Sequence, residues 1–406
     1  MVLAALTLAV FAAWVGGFIA IRLHQPRVIG ELVAGLLLGP TLFGAVAPKA
    51  FDVIFPADVV GSLAVVAELG LVFFVFLVGL EFDLDELRGQ GSRTAAVSVA
   101  SIIVPFTLGV LVAPWVHGQV GERSDLRSYA VFIGVAMAIT AFPVLVRILD
   151  SLGLTHTRIG ALVVACAGIG DVVAWILLAV AVAMATAGSA LDVVRTVVLT
   201  AVFAVVVLTV VRPVLARFER PGLPVIVVGT LLAAWITERI GVSVILGAFL
   251  FGLVVPRGPI AESVDRALRP VTTTVLLPVF FVTVGLATQV GSLDTVQLWL
   301  VAVVVVGVAA VGKILAGAGA ARATGESLGS ALAVGSLLNA RGLTEIVILT
   351  IGLEVAVIGP TTFTIMVLMA IVTTVTAGPL VRRFLGLGPP GSSGDRSGLV
   401  TPSADR

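Results

Sequence analysis

The sequence predicts an all-α, polytopic membrane protein, and two observations predict it. Of 406 residues, 59% are hydrophobic and only 12% charged, against roughly 45–50% and 25% in soluble domains. Apolar runs of about 18 residues or more recur from end to end, each long enough to cross a bilayer as a helix. The net charge of +1 gives no reason to expect nucleic acid as a partner. A lone cysteine, Cys166, excludes an internal disulfide and any multi-cysteine metal site. His24, His117 and His156 fall in or beside expected loops, which argues against histidine-based metal or hydrolase chemistry inside the bilayer.

Length and breakers divide the chain into about 13 spans. They run over 1–20, 28–45, 59–81, 94–116, 127–149, 158–187, 191–218, 222–239, 241–257, 268–288, 294–322, 326–354 and 358–382. The N-terminus starts apolar at Val2 without a basic n-region or cleavage site, so it reads as a first span rather than a signal peptide. Residues 1–385 make the transmembrane unit. Residues 386–406, rich in Gly, Pro, Ser and Asp, are expected to be a disordered cytoplasmic tail. Basic residues give the orientation. Odd-numbered loops and the C-terminal tail carry 17 of them, Arg88, Arg147 and Arg269 included, and even-numbered loops carry 5. That bias places the N-terminus outside and the C-terminus in the cytoplasm, as for a multi-pass protein of the plasma membrane.

Two spans are interrupted. The fifth breaks at 140–144, where Pro143 removes a backbone donor and opens the helix beside Thr140. The twelfth breaks at 335–342, around Asn339 and Gly342. Each lies next to last in a six-span half, about 1–187 and 222–382, with 191–218 as a connector. Breaks at corresponding positions of two halves point to a secondary transporter built from inverted repeats. Pro and Gly also produce ordinary kinks in membrane helices, which is the plainer reading of either break alone.

The buried polar inventory is short. Asp171 sits mid-span in ACAGIGDVVAW at 165–175. A carboxylate at bilayer depth is costly, so it reads as part of an ion or proton path, or else as a local helix cap. Lys313 is isolated in span 11 and needs a partner from another helix, unless it snorkels to an interface. Arg341 and Glu345 are spaced i,i+4 on one face and read mainly as a structural ion pair. A carboxylate between two broken helices can hold a proton or a small cation, though not both at once. Thr140 and unwound carbonyls would add the oxygen ligands that a hard alkali cation needs. Competition at one site gives antiport with no catalytic group, no enzyme activity and no cofactor.

With those residues in place, the chain resembles the monovalent cation:proton antiporter superfamily, in the branch of Kef-type and plant cation/proton exchanger proteins. The likeness runs over nearly all of 1–385 and rests on six segments in order. They are GELVAGLLLGP at 30–40, FLVGLE at 76–81, TAFPVL at 140–145, the Asp171 stretch, PVFFVTVGL at 278–286 and NARGLTEIV at 339–347. The resemblance implies a 13-span antiporter fold with a core domain and a dimerising scaffold domain, moving by an elevator-like alternating access. It implies H⁺ and Na⁺ or K⁺ as substrates, the lipid bilayer and a second copy of the chain as partners, and no nucleic acid. It also implies that Asp171 is the ion-binding aspartate, holding the alkali cation transiently as cargo. Thr140 and Pro143 match the crossing helix, and Lys313 matches the basic residue near the site. One departure stands out: in the family the residue before that aspartate is usually Asp or Asn, and this chain carries Gly170. Lys313 has then lost its expected partner and is expected to turn to Asp171, with electroneutral exchange as the consequence. Two other readings remain: a transport-inactive accessory or sensor protein of the same fold, and a sodium-coupled organic-anion transporter of a related fold with fewer spans.

Overall fold

The computed structural model describes residues 1–81, 91–155, 157–186, 190–218 and 222–387. Among them every regular element is helical. The expected tail at 386–406 falls almost wholly outside these residues, as do His156 and Arg88. In chain order the helices begin with α1 (Val2–Arg22), α2 (Arg27–Leu38), α3 (Pro48–Ile54), α4 (Ala57–Glu81) and α5 (Ser92–Val120). There follow α6 (Leu126–Ala138), α7 (Phe142–Leu152), α8 (Arg158–Thr186), α9 (Ala190–Val206), α10 (Arg212–Arg217), α11 (Leu223–Ile240) and α12 (Val244–Val254). The chain ends with α13 (Pro259–Val271), α14 (Leu277–Ala287), α15 (Val296–Ala323), α16 (Leu328–Leu338), α17 (Leu343–Glu354) and α18 (Pro360–Leu385).

Helix starts follow local chemistry. Asp125 caps α6 by accepting from the Ser128 N–H at 3.0 Å. Thr295 and Ser327 cap α15 and α16 in the same way. At the other end, α5, α7 and α11 stop on left-handed Gly121, Gly153 and Gly241.

By length and composition, 11 helical runs among the described residues can cross a membrane, or 12 with the bent pair α16–α17 counted as one span. The expected thirteen is not reached on this criterion. The shortfall is α12, whose 11 residues rise only about 16 Å against a hydrocarbon core of about 30 Å.

The helices pack as two groups. One holds α1, α2, α4, α11, α12 and α14; the other holds α5, α6–α7, α8, α15, α16–α17 and α18. The run α9–α10 joins them in sequence and buries almost nothing of itself. Within the first group α2 and α14 touch backbone to backbone. A Cβ on Gly35 would lie 2.3 Å from Phe281 O, and one on Gly285 would lie 2.0 Å from Gly35 C. That close approach requires glycine at both positions, and each lies in a conspicuous motif, at 30–40 and 278–286.

Candidate functional site: two broken helices beside a buried carboxylate

The second group is organised around its two breaks. Helix α6 ends at Ala138 and α7 begins at Phe142, with Pro143 in its first turn. Helix α16 ends at Leu338 and α17 begins at Leu343, bent by 40° across the gap. A helix that stops inside a protein leaves its last carbonyls without intrahelical donors. Here the first break supplies donors to the carbonyls of the second. Ala141 N–H donates to Ala340 O at 3.0 Å, and Thr140 Oγ1 donates to Leu338 O at 2.7 Å.

Three carbonyls at the end of α6 are met by cations. Arg341 Nη1 donates to Ala136 O and Nη2 to Met137 O, both at 2.8 Å. Lys313 Nζ donates to Ala138 O and to Ser101 O at 2.9 Å. Two positive charges thus sit on the negative end of the α6 dipole, where cations are favoured. Arg341 also pairs with Glu345 at 3.1 Å, and both side chains are fully buried.

Lys313 therefore does not form the expected ion pair with Asp171. Its ammonium is used on the carbonyls of Ala138 and Ser101, although its charge still acts on Asp171. The physical reason is the α6 terminus. Orphan carbonyls in a dry interior bind an ammonium as firmly as a distant carboxylate would, and they are closer.

Gly342 shapes the second gap. Its φ of 152° lies where side chains are disfavoured, and a Cβ there would come 2.7 Å from Val144 Cγ2 on α7. Thr374 on α18 then holds the segment within the break: its Oγ1 accepts from Arg341 N–H at 3.0 Å and lies 2.7 Å from Arg341 O.

Asp171 is carried by α8, which packs against α6, α7 and α16. It is 1% exposed, and its Oδ1 has no hydrogen-bond partner among the described residues. Gly170 beside it is buried, yet a Cβ at that position would meet nothing within 4 Å. Four residues on, Trp175 Nε1 is likewise buried without a partner, as are both amide atoms of Asn339 and Ser98 Oγ on α5. Each such group costs on the order of 1–3 kcal/mol if nothing satisfies it. On Asp171, whose helix packs against both breaks, an unsatisfied oxygen marks a site kept polar for use. Among the described residues no three His, Cys, Asp or Glu side chains gather to hold a metal ion. The donor set instead suits a weakly held monovalent cation or a proton.

The sequence located the breaks, Asp171, Lys313, Arg341, Glu345, Asn339 and Gly342. Missing from it were Ser98, Ser101, Trp175 and Thr374, and the α6 carbonyls as a binding surface. The tandem Thr373-Thr374 inside the last apolar span is the one signal that could have flagged Thr374.

A polytopic helical fold in which two broken helices meet beside a buried carboxylate defines a secondary transporter of the crossed-helix class. The chain belongs to the sodium/hydrogen exchanger family, whose transmembrane description matches residues 6–386. It is similar to the Na(+)/H(+) antiporter NhaS4 of Synechocystis sp., 36% identical over 394 residues that cover 94% of this chain and 96% of that protein. Cation/H(+) antiporter 18 of Arabidopsis thaliana is 36% identical over 372 residues, 88% of this chain and 46% of that protein. K(+)/H(+) antiporter 1 of Saccharomyces cerevisiae is 34% identical over 407 residues, 94% of this chain and 46% of that protein. The chain thus spans about half the length of the plant and yeast relatives. Its fold matches the solved sodium proton antiporter MjNhaP1 of Methanocaldococcus jannaschii, with a TM-score of 0.66 at 16% identity, covering 95% of this chain and 98% of that one.

Proposed function

We propose that this protein exchanges H⁺ for a monovalent cation, Na⁺ or K⁺, and that the two compete for Asp171. The observation that carries the reading is the buried carboxylate with an unpartnered oxygen, on a helix packed against both breaks. A carboxylate shielded from water must be neutralised, and a proton or an alkali cation each does so. Thr140 Oγ1 has its proton engaged with Leu338 O, which leaves its lone pairs as a ligand for the cation.

The two helix groups supply the moving parts of this reading. The group holding both breaks and Asp171 is the core, and the group around α2, α4 and α14 is the scaffold. The inverted repeats are 1–187 and 222–382, with 191–218 between them. The core slides against the scaffold and presents Asp171 to each side in turn. The protein works as a homodimer in the plasma membrane, with its N-terminus outside, on the strength of the basic-residue bias and the family resemblance. Arg341 and Glu345 hold the crossing rather than carry cargo. With no acid at Gly170, one carboxylate carries one charge each way, so exchange is electroneutral.

The experiment is proton flux in proteoliposomes reported by a pH-sensitive dye. Adding Na⁺ or K⁺ should collapse a proton gradient with the native protein and not with Asp171→Asn that elutes as a folded species. Net charge movement during turnover would overturn one-for-one exchange. Absence of flux with either cation over a wide pH range would favour the transport-inactive reading.

A further inference from the structure

The turn between α1 and α2, the last turns of α7 and the last third of α18 enclose a cavity of about 650 Å³. It lies on the seam of the two helix groups, since α1 and α2 belong to one and α7 and α18 to the other. Three arginines line it: Arg27, Arg147 and Arg382. Arg27 Nε is engaged by Glu31 at 2.7 Å. Arg147 differs from it. Its side chain is exposed into the cavity, and among the described residues it makes no hydrogen bond or ion pair. Glu31 and Glu81 act on it only from farther off.

A second space continues from the first. An apolar groove of about 850 Å³ follows α1 and α2, and the two cavities share Leu23 and Gln25. The groove is walled by Phe11, Val15, Ile19, Val33 and Leu37, and it runs from Leu23 back to Leu8. Those 15 residues of helix rise about 22 Å, most of one bilayer's hydrocarbon depth. A basic mouth at the end of a long apolar groove is matched by one chemistry, an anionic headgroup carrying an acyl chain. A soluble anion would use only the mouth, and a neutral lipid only the groove.

We propose that this seam is a binding site for an anionic phospholipid, with its phosphate on Arg147 and Arg382 and an acyl chain in the α1–α2 groove. The site touches both helix groups; it shares α7 and Thr374 with the breaks but is not lined by Asp171. Its test therefore stands apart from transport. Purified, delipidated full-length protein is titrated with phosphatidylglycerol, with phosphatidylcholine and with inorganic phosphate, and bound lipid is read by native mass spectrometry. Phosphatidylglycerol should bind at least about fivefold more tightly than phosphatidylcholine, roughly what one arginine near an anionic headgroup supplies. Arg147→Gln with Arg382→Gln should erase that preference, and Arg147→Lys should restore much of it to the single-site level. Ile19→Trp, at a half-exposed wall position, should weaken both lipids by narrowing the groove. Equal retention of the two lipids would overturn the proposal, as would a preference that survives loss of both arginines. Full displacement of phosphatidylglycerol by millimolar phosphate would overturn it in favour of a free-anion site.

Discussion

The N–H of Ala141 donates to the carbonyl of Ala340 at 3.0 Å, so the two broken spans are joined backbone to backbone at the point where each has lost its helix. Neither break is sufficient alone. An open helix end inside a membrane protein is tolerated only where something else satisfies the freed groups. Here the satisfying groups are the other break and two buried cations.

Arg341 carries the most of this arrangement, because its fork reaches Ala136 O, Met137 O and Glu345 together. Arg341→Ala should destabilise the purified protein by about 3–5 kcal/mol, the cost of leaving a buried partner uncompensated. Arg341→Lys should recover little, since a single ammonium nitrogen cannot reproduce the two-nitrogen fork that meets Ala136 O, Met137 O and Glu345 together. Glu345→Gln should be the milder change, because Arg341 keeps both carbonyls. Thermal unfolding in detergent orders the three variants, and a Glu345→Gln that is as damaging as Arg341→Ala contradicts the account.

Lys313 is placed on Ala138 O and Ser101 O rather than on Asp171. Lys313→Met and Asp171→Asn should then show only the weak coupling of a charge that acts without contact, below about 1 kcal/mol. A double-mutant cycle measures this directly. A coupling energy well above that value would indicate a working ion pair between the two.

Two helical glycines should respond oppositely to the same change. At Gly170 a Cβ meets nothing, whereas at Gly335 it would sit 2.2 Å from Ile314 O. Gly170→Ala should be neutral or gain up to about 1 kcal/mol from helix propensity. Gly335→Ala should lose stability by forcing α16 away from α15, by about 1–3 kcal/mol. Melting temperatures of the two variants in one buffer are the comparison.

Gly342 combines a φ of 152° with a close approach to Val144. Gly342→Ala should cost about 1–3 kcal/mol through the backbone strain alone. Trimming Val144→Ala in the same chain should relieve the contact and not the strain, so rescue should be partial. Complete rescue would mean that crowding, and not backbone geometry, requires the glycine.

The proposed competition at Asp171 implies a pH law. When the proton dominates the site, each unit of acidification should raise the apparent Km for Na⁺ or K⁺ by about tenfold, with the maximal rate little changed. Flux measured against cation concentration at several pH values supplies the slope. A Km that is flat with pH while the maximal rate collapses would place proton and cation at different sites.

The sequence by itself determined a great deal here, because a membrane interior admits few solutions. With no water to satisfy backbone groups, apolar runs of sufficient length must be helices. A Pro or a polar cluster inside such a run is then a candidate break, although α5 runs unbroken through Pro105 and Pro114. Asp171, Lys313, Arg341 and Glu345 stood out for the same reason: charge at that depth is expensive, so each one is conspicuous. The i,i+4 spacing of Arg341 and Glu345 lies within one helix and could be read directly. What only the tertiary structure decided was partnership across helices. Spacing cannot say which cation meets which oxygen, and Lys313 was assigned to a carboxylate when the nearer acceptors were backbone carbonyls. Those carbonyls carry no side-chain signature. They became acceptors because α6 stops at Ala138, and they could be reached because α15, α5 and the second break converge on that end.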